Sequence, residues 1–151
     1  MISLLIVNYR SAALAVEAIR TARASTDASL QVIVVDNSCE DAEADALRDH
    51  ADALIVAETN RGYAGGINLG RRACDGETIV VSNPDVTFAG GAIDRLHDAL
   101  EHAAVAGPAL FWDEGHRWML PPGDLNTAPE KLDEVLASRS RAWAWSASTA
   151  R

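Results

Sequence analysis

The sequence predicts an α/β protein with a mostly parallel sheet flanked by helices. Short runs of apolar and β-branched residues alternate with segments whose apolar residues recur at helical spacing. This alternation is typical of parallel strands joined by helical crossovers. A chain of 151 residues is long enough to bury a core in one domain. The apolar fraction of 48% and the charged fraction of 23% exclude a disordered or fibrous chain.

Four strands are predicted in the first 82 residues, each too short for a helix and typical of a strand that is buried on both faces. They are Ile2–Val7, Gln31–Val35, Ala53–Ala57 and Thr78–Ser82. A fifth strand is predicted over Val105–Trp112.

Helices are predicted between these strands. Ser11 is an N-cap candidate, and Leu14 and Ile19 belong to the apolar stripe of the helix that follows it. Ser38, with Asp41 three residues later, resembles a capping box. The expected helices are Ser11–Ser25, Ser38–Ala51, Gly62–Cys74 with Gly76 as its stop signal, and one marked by Ile93, Leu96 and Leu100.

The last third of the sequence has a different character, so we expect a domain of residues 1–112 and an irregular extension of residues 113–151. Residues 113–129 hold three prolines and two glycines and are expected to form a long loop. Residues 130–138 are expected to be helical, and residues 141–148 to form a strand. The four tryptophans lie in the last forty residues, and either stacking on sugar rings or covering a core would explain them.

Charge and cysteine content restrict the class of protein. A formal net charge of −9 argues against general nucleic-acid binding, so a phosphorylated ligand would need a metal ion or a local basic group. Cys39 and Cys74 are too few for a disulfide scaffold and lack a metal-binding spacing. The apolar N-terminus is too short for a signal peptide or a membrane span. We therefore expect a cytoplasmic chain.

Polar segments directly follow four predicted strands. Because ligands of open parallel sheets bind at the carboxyl ends of the strands, these segments are the candidate site, and their composition suits a nucleotide. Taken alone, each also fits a turn or a helix cap. The segments are Asn8-Tyr9-Arg10, Asp36-Asn37-Ser38, Asn60-Arg61-Gly62 and Asn83-Pro84-Asp85.

The glycine-rich segment Gly62–Gly70 matches neither common phosphate-binding loop. A dinucleotide-binding fingerprint requires G-x-G-x-x-G directly after the first strand, and this segment contains no G-x-G. A P-loop requires Lys and then Ser or Thr after its last glycine, and Arg71 and Arg72 stand there instead. Two interpretations remain open. Glycines 65, 66 and 70 either allow the helix to pack closely on the sheet, or leave room for a ligand beside the helix start.

Four segments resemble, in order, the motifs of family 2 glycosyltransferases, with the closest match to the rhamnosyltransferase-like branch over about residues 1–112. The resemblance implies the GT-A fold, a dTDP-, UDP- or GDP-sugar donor, a saccharide or lipid-linked acceptor, and inversion at the anomeric carbon. The segments are Val7-Asn8-Tyr9, Val34–Ser38, Asn60–Gly70 and Asn83–Val86.

The resemblance also implies roles for particular residues. Val7 and Tyr9 would line the base, and Asp36 would contact the base or ribose. Asp85 would bind Mn²⁺ or Mg²⁺, with Asn83 in place of the first Asp of the family's D-x-D motif. The metal and Arg61 would oppose the negative charge of the departing nucleoside diphosphate. The full candidate donor-binding set is Val7, Asn8, Tyr9, Asp36, Asn37, Arg61, Gly62, Gly65 and Asn83.

No catalytic residue is assigned, because the family's acceptor-activating carboxylate lies downstream of the region that this sequence resembles. The pair Asp113–Glu114 fits a solvated turn, and the four histidines are expected at the surface. The sequence is thus expected to be a truncated donor half, and its uncovered apolar surface would favour a homodimer. The alternatives are a non-catalytic binding or structural module and, less favoured, a nucleotidyltransferase, which would need a glycine loop after the first strand.

Overall fold

A computed structural model describes residues 1–108 of the protein. Four strands and four helices alternate along this part of the chain, and a 3₁₀ turn, Arg71–Ala73, continues the third helix. The strands are β1 (Ile2–Asn8), β2 (Leu30–Asp36), β3 (Ala53–Val56) and β4 (Thr78–Ser82). The helices are α1 (Ala12–Ala24), α2 (Asp41–Leu47), α3 (Gly62–Gly70) and α4 (Ala92–Ala99).

The four strands form one parallel sheet in the order β3-β2-β1-β4. This confirms the predicted α/β class and all four strands in the first 82 residues. In the register of the sheet, Asn8 at the end of β1 lies beside Asp36 at the end of β2. The order reverses direction at β1, because β2 and β3 lie on one side of it and β4 on the other.

The two central strands, β1 and β2, are largely buried on both faces, as expected for a parallel sheet, whereas Ile79 and Val81 of β4 are exposed. On one face, buried residues of β1 and β2 such as Leu4 and Val32 pack with the buried stripe of α1, with Leu47 of α2 and with Ile93 of α4. On the other face, β1 and β2 present a smaller buried cluster, against which residues of α3 pack. Helices therefore cover β1 and β2 from both sides and leave the carboxyl edge of the sheet to the loops.

Helix α3 approaches the sheet closely because it carries glycine where it meets the strands. A Cβ atom on Gly66 would lie 2.7 Å from Cγ1 of Val7, and one on Gly70 would lie 2.7 Å from Cγ2 of Val35. Both glycines are buried. The close-packing interpretation is therefore confirmed for these two positions, whereas Gly65 is partly exposed on another side of the helix.

Three predictions about local structure were wrong. Leu14 is 52% exposed, because the buried face of α1 consists mainly of alanines that allow the helix to approach the sheet. Helix α2 is shorter than Ser38–Ala51, because the side chain of Ser38 binds Asp36 and does not cap the helix. Residues 105–108 of the expected fifth strand are not in a strand.

The remaining expectations for the end of the chain lie outside the described residues. They concern the rest of that strand, the loop, the later helix and strand, and all four tryptophans. Within residues 1–108, no helix is long and apolar enough to cross a bilayer.

Candidate functional site

The candidate site lies at the carboxyl edge of the sheet, where β1 meets β2 on one side and β4 on the other. The point at which strand order reverses is the usual ligand crevice of open α/β sheets. The structure brings the ends of β1 and β2 into direct contact, since the backbone N–H of Asn37 donates to the carbonyl of Asn8 at 2.9 Å. The polar segments after these strands are thus neighbours in space, as predicted.

Asp36 is the buried carboxylate of this edge, and its two oxygens differ in the number of hydrogen bonds that they accept. Oδ1 accepts hydrogen bonds from the side-chain amide of Asn8 at 2.9 Å, the backbone N–H of Ser38 at 3.0 Å and the Ser38 hydroxyl at 2.5 Å. Oδ2 is buried and has no hydrogen-bond donor among residues 1–108. A buried charged oxygen without a donor is costly, so such an atom in a folded protein calls for an explanation.

Asn8 connects the first strand to its neighbours through both ends of its side-chain amide. Its Nδ2 lies 2.9 Å from Oδ1 of Asp36 and 3.0 Å from Oε2 of Glu43. Its Oδ1 accepts from the backbone N–H of Ser11 at 3.2 Å and from the Ser11 hydroxyl at 2.9 Å. The Asn8 side chain is fully buried, and both its nitrogen and its oxygen form hydrogen bonds with other residues of the protein.

Asn37 joins the end of β2 to the start of α3. Its side-chain amide donates to the carbonyl of Gly62 at 3.1 Å, and its Oδ1 lies 3.5 Å from the backbone N of Arg61. Gly62 adopts a φ of +68°, which glycine tolerates more readily than other residues. The Arg61 side chain is exposed beside this junction. The second and third predicted segments are therefore assembled around Asn37.

The segment after β1 forms the exposed rim of the site. The Tyr9 ring is 49% exposed, and the guanidinium carbon of Arg10 lies 5.4 Å from its centroid. Nε of Arg10 also lies 2.8 Å from a carboxylate oxygen of Glu40, in an exposed ion pair. The Arg10 backbone N–H donates to the Ser38 hydroxyl at 2.8 Å. This rim places an exposed aromatic side chain next in sequence to Asn8, whose amide binds the buried carboxylate of this edge.

Asn83 and Asp85 follow β4, the strand on the other side of β1, and both are exposed. Asn83 borders a cavity of about 300 Å³ together with Tyr63 and Val86. Among residues 1–108, no group of three or more His, Cys, Asp or Glu is placed to hold a metal ion. One carboxylate and one amide oxygen suit Mg²⁺ or Mn²⁺ only if phosphate oxygens or water complete the shell.

Sequence reasoning missed one residue of this site. Glu43 reaches Asn8 from α2, across 35 residues of sequence, and nothing in its local pattern marks it. Ser38 was included in a candidate segment and also interpreted as a helix cap, and its hydroxyl donates to Asp36 instead of capping the helix. The three histidines within residues 1–108 are exposed, as predicted, and lie outside the site.

The family model for glycosyl transferase family 2 matches residues 3–140. The chain therefore belongs to glycosyl transferase family 2. The succinoglycan biosynthesis protein ExoO of Rhizobium meliloti is 33% identical over 115 residues, which cover 74% of this chain and 32% of that protein. An uncharacterized glycosyltransferase, alr2836, of Nostoc is 26% identical over 144 residues, which cover 91% of this chain and 44% of that protein.

Solved structures agree with this assignment. The mannosyltransferase PcManGT from Pyrobaculum calidifontis, in complex with GDP-Man and Mn²⁺, has a TM-score of 0.57 and 26% identity over 68% of this chain and 32% of that chain. TarS from S. aureus has a TM-score of 0.52 at 18% identity, over 66% of this chain and 19% of that chain, and supports the fold alone. The fold is GT-A-like, and the chain spans less than half the length of the relatives and structures it matches.

Proposed function

We propose that this chain binds the nucleotide of a nucleoside-diphosphate sugar at the carboxyl ends of β1, β2 and β4. In this proposal it forms the donor-binding part of a glycosyltransferase that transfers the sugar, with inversion, to a hydroxyl of a saccharide or lipid-linked acceptor. Family membership and the neighbour solved with GDP-Man support a nucleotide-sugar donor. The dTDP-, UDP- and GDP-sugars are the candidate donors.

The observation that carries the proposal is the buried Oδ2 of Asp36, which has no donor inside the described part of the protein. An N–H of a nucleobase or a ribose hydroxyl would supply the missing hydrogen bond, and charge-assisted bonds of this kind are stronger than neutral ones. Because Oδ2 is covered in the ligand-free protein, the nucleotide must displace part of its cover. The Tyr9 ring, which is 49% exposed at this rim, would then pack on the base.

We assign the remaining candidate residues by their positions. Val7 is buried at the end of β1 under Gly66 and supports the base from below. Asn37 and Gly62 fix the junction from which Arg61 extends, and Gly65 continues the same helix. Arg61 contributes positive charge near the diphosphate. Asn8 serves the site by holding Asp36 rather than by contacting the ligand, because its polar atoms are already paired.

Asp85, with Asn83, is the proposed metal-binding residue, since it supplies an exposed carboxylate at the end of β4. A divalent cation bound there acts as a Lewis acid that stabilises the charge on the departing diphosphate. Asp85 holds the phosphate end of the donor at β4 while Asp36 holds the nucleoside end at β2. The two carboxylates thus bind opposite ends of the same ligand across the end of β1.

We also propose finer assignments that the sequence suggests. The donor class is that of the rhamnosyltransferase-like branch, and the chain acts in the cytoplasm. The donor part consists of residues 1–112, and residues 113–151 begin an acceptor-side region. Ile79 and Val81, exposed at 43% and 45% on β4, support self-association into a homodimer.

The test is calorimetric titration of the chain with UDP, dTDP and GDP, each with and without Mn²⁺. We expect saturable binding of one nucleotide that requires the metal. Asp36→Asn should weaken this binding by at least about tenfold, because its amide replaces a charged acceptor. Asp98→Asn, an exposed change on α4, is the matched control and should bind like the wild type. A folded wild-type chain that binds none of the nucleotides would contradict the proposal and favour a structural module.

A further inference from the structure

Glu43 of α2 makes two hydrogen bonds through a single oxygen. Oε2 accepts from the side-chain amide of Asn8 at 3.0 Å and from the backbone N–H of Ala12 at 2.9 Å. Ala12 is the first residue of α1, so its N–H has no partner within the helix, and the positive end of the helix dipole favours the carboxylate. Glu43 is therefore held in place by α1 while it holds Asn8.

The orientation of the Asn8 amide follows from its partners. Its Oδ1 accepts the backbone N–H of Ser11, which can only donate, so Nδ2 must face the carboxylates. Nδ2 carries two hydrogens, and the two shortest contacts are those to Asp36 and Glu43. The contact to the Ser38 hydroxyl is longer, at 3.3 Å. Glu43 and Asp36 thus divide the two hydrogens of one amide between them.

We propose that Glu43 is a positioning residue for the nucleotide site. By taking one hydrogen of the Asn8 amide, it directs the other to Oδ1 of Asp36 and keeps Oδ2 of Asp36 as the acceptor that faces the ligand. Glu43 itself does not touch the nucleotide. This inference rests on the proposed function, because it assigns Glu43 a role in presenting the carboxylate through which the donor is recognised.

Without Glu43, the second amide hydrogen would be left with the 3.3 Å contact to the Ser38 hydroxyl. That hydroxyl already donates to Oδ1 of Asp36, so the change disturbs the same carboxylate from two sides. Cooperative networks of this type transmit the loss of one member to the others. We therefore expect nucleotide affinity to depend on Glu43 only as long as Asp36 is present.

The experiment is a double-mutant cycle on the affinity of the full chain for whichever of UDP, dTDP or GDP the wild type binds with Mn²⁺. Glu43→Ala should weaken binding about 3- to 10-fold, the range of one ordinary net hydrogen bond. In the Asp36→Asn background the same change should have no further effect. Glu43→Gln should restore most of the affinity, because both native bonds use one oxygen and the Gln amide retains one.

Affinities are measured well below the melting temperature of each variant. The stability lost with the bond from Glu43 to the Ala12 N–H then does not change the measured affinity. Asp45→Ala removes an exposed carboxylate from the same helix and should bind like the wild type. Unchanged affinity in Glu43→Ala, or an effect that adds to that of Asp36→Asn, would overturn this inference and leave the proposed function standing. A wild-type chain that binds no nucleotide would overturn both.

Discussion

The side-chain amide of Asn8 donates to Oδ1 of Asp36 at 2.9 Å, across the ends of two adjacent parallel strands. Both residues are fully buried. The bond commits one oxygen of the carboxylate to the protein, and the other oxygen has no donor in the part of the chain that the structure describes. The two strand ends thus form a unit in which β1 orients the functional group that β2 carries.

Asn8→Ala should destabilise the protein by about 3 kcal/mol, because it leaves a buried carboxylate and other polar partners without their hydrogen bonds. Urea unfolding at neutral pH measures this change. Asn68→Ala on the exposed side of α3 is the control and should shift the free energy of unfolding by less than about 0.5 kcal/mol. Equal stabilities of the two variants would contradict the role given to Asn8.

Gly70→Ala should destabilise the protein by about 1–3 kcal/mol despite the better helix propensity of alanine. The new Cβ would meet Val35 Cγ2 at 2.7 Å and the end of the Leu5 side chain, both in the core. Gly90→Ala is the matched control, since a Cβ there meets nothing within 4 Å. Thermal denaturation of both variants tests this, and a Gly70 variant as stable as the control would show that α3 can move away from the sheet.

Asp85→Ala should abolish the metal-dependent binding of the nucleotide, because it removes the carboxylate proposed to bind the cation. Titrations of the nucleotide with and without Mn²⁺ check this, and Asp98→Ala is the control, which should still bind the nucleotide when Mn²⁺ is present. If Mn²⁺-dependent binding persists in Asp85→Ala, the cation is held elsewhere.

Burial raises the pKa of the Cys74 thiol, and the neighbouring Asp75 adds to this effect. In Cys39→Ser, where Cys74 is the remaining thiol, alkylation at neutral pH should be about tenfold slower than in Cys74→Ser, where the exposed Cys39 remains. Time courses with iodoacetamide followed by mass spectrometry measure both rates. Similar rates in the two variants would show that Cys74 is as accessible as Cys39.

The same shift has a consequence for stability. The folded protein favours the neutral thiol of Cys74, so this contribution is complete below the ordinary thiol pKa of 9.0 and is lost as the pH rises beyond it. The free energy of unfolding, measured from neutral to alkaline pH, should therefore fall more steeply in the wild type than in Cys74→Ser. Parallel curves would contradict this.

The sequence predicted the strands well because a buried parallel strand is marked by its own composition. It failed at Leu14, which was predicted to lie on the buried face of α1, although that face consists mainly of alanines. It also failed at Ser38, because a hydroxyl has several possible partners and the chosen one belongs to the tertiary structure. Glu43 illustrates the general limit, since its partners are 31 and 35 residues away.

The two sides of the site differ in when they can form. Asn8 and Asp36 are 28 residues apart, whereas the bond from the backbone N–H of Gly76 to the Ser3 hydroxyl, next to the pairing of β1 with β4, spans 73 residues. Closing the longer loop costs more entropy and generally slows folding. On a chain that emerges from the ribosome, the β1–β2 side with Asp36 can therefore assemble first. The side that carries Asp85 joins only after β4 has been synthesised.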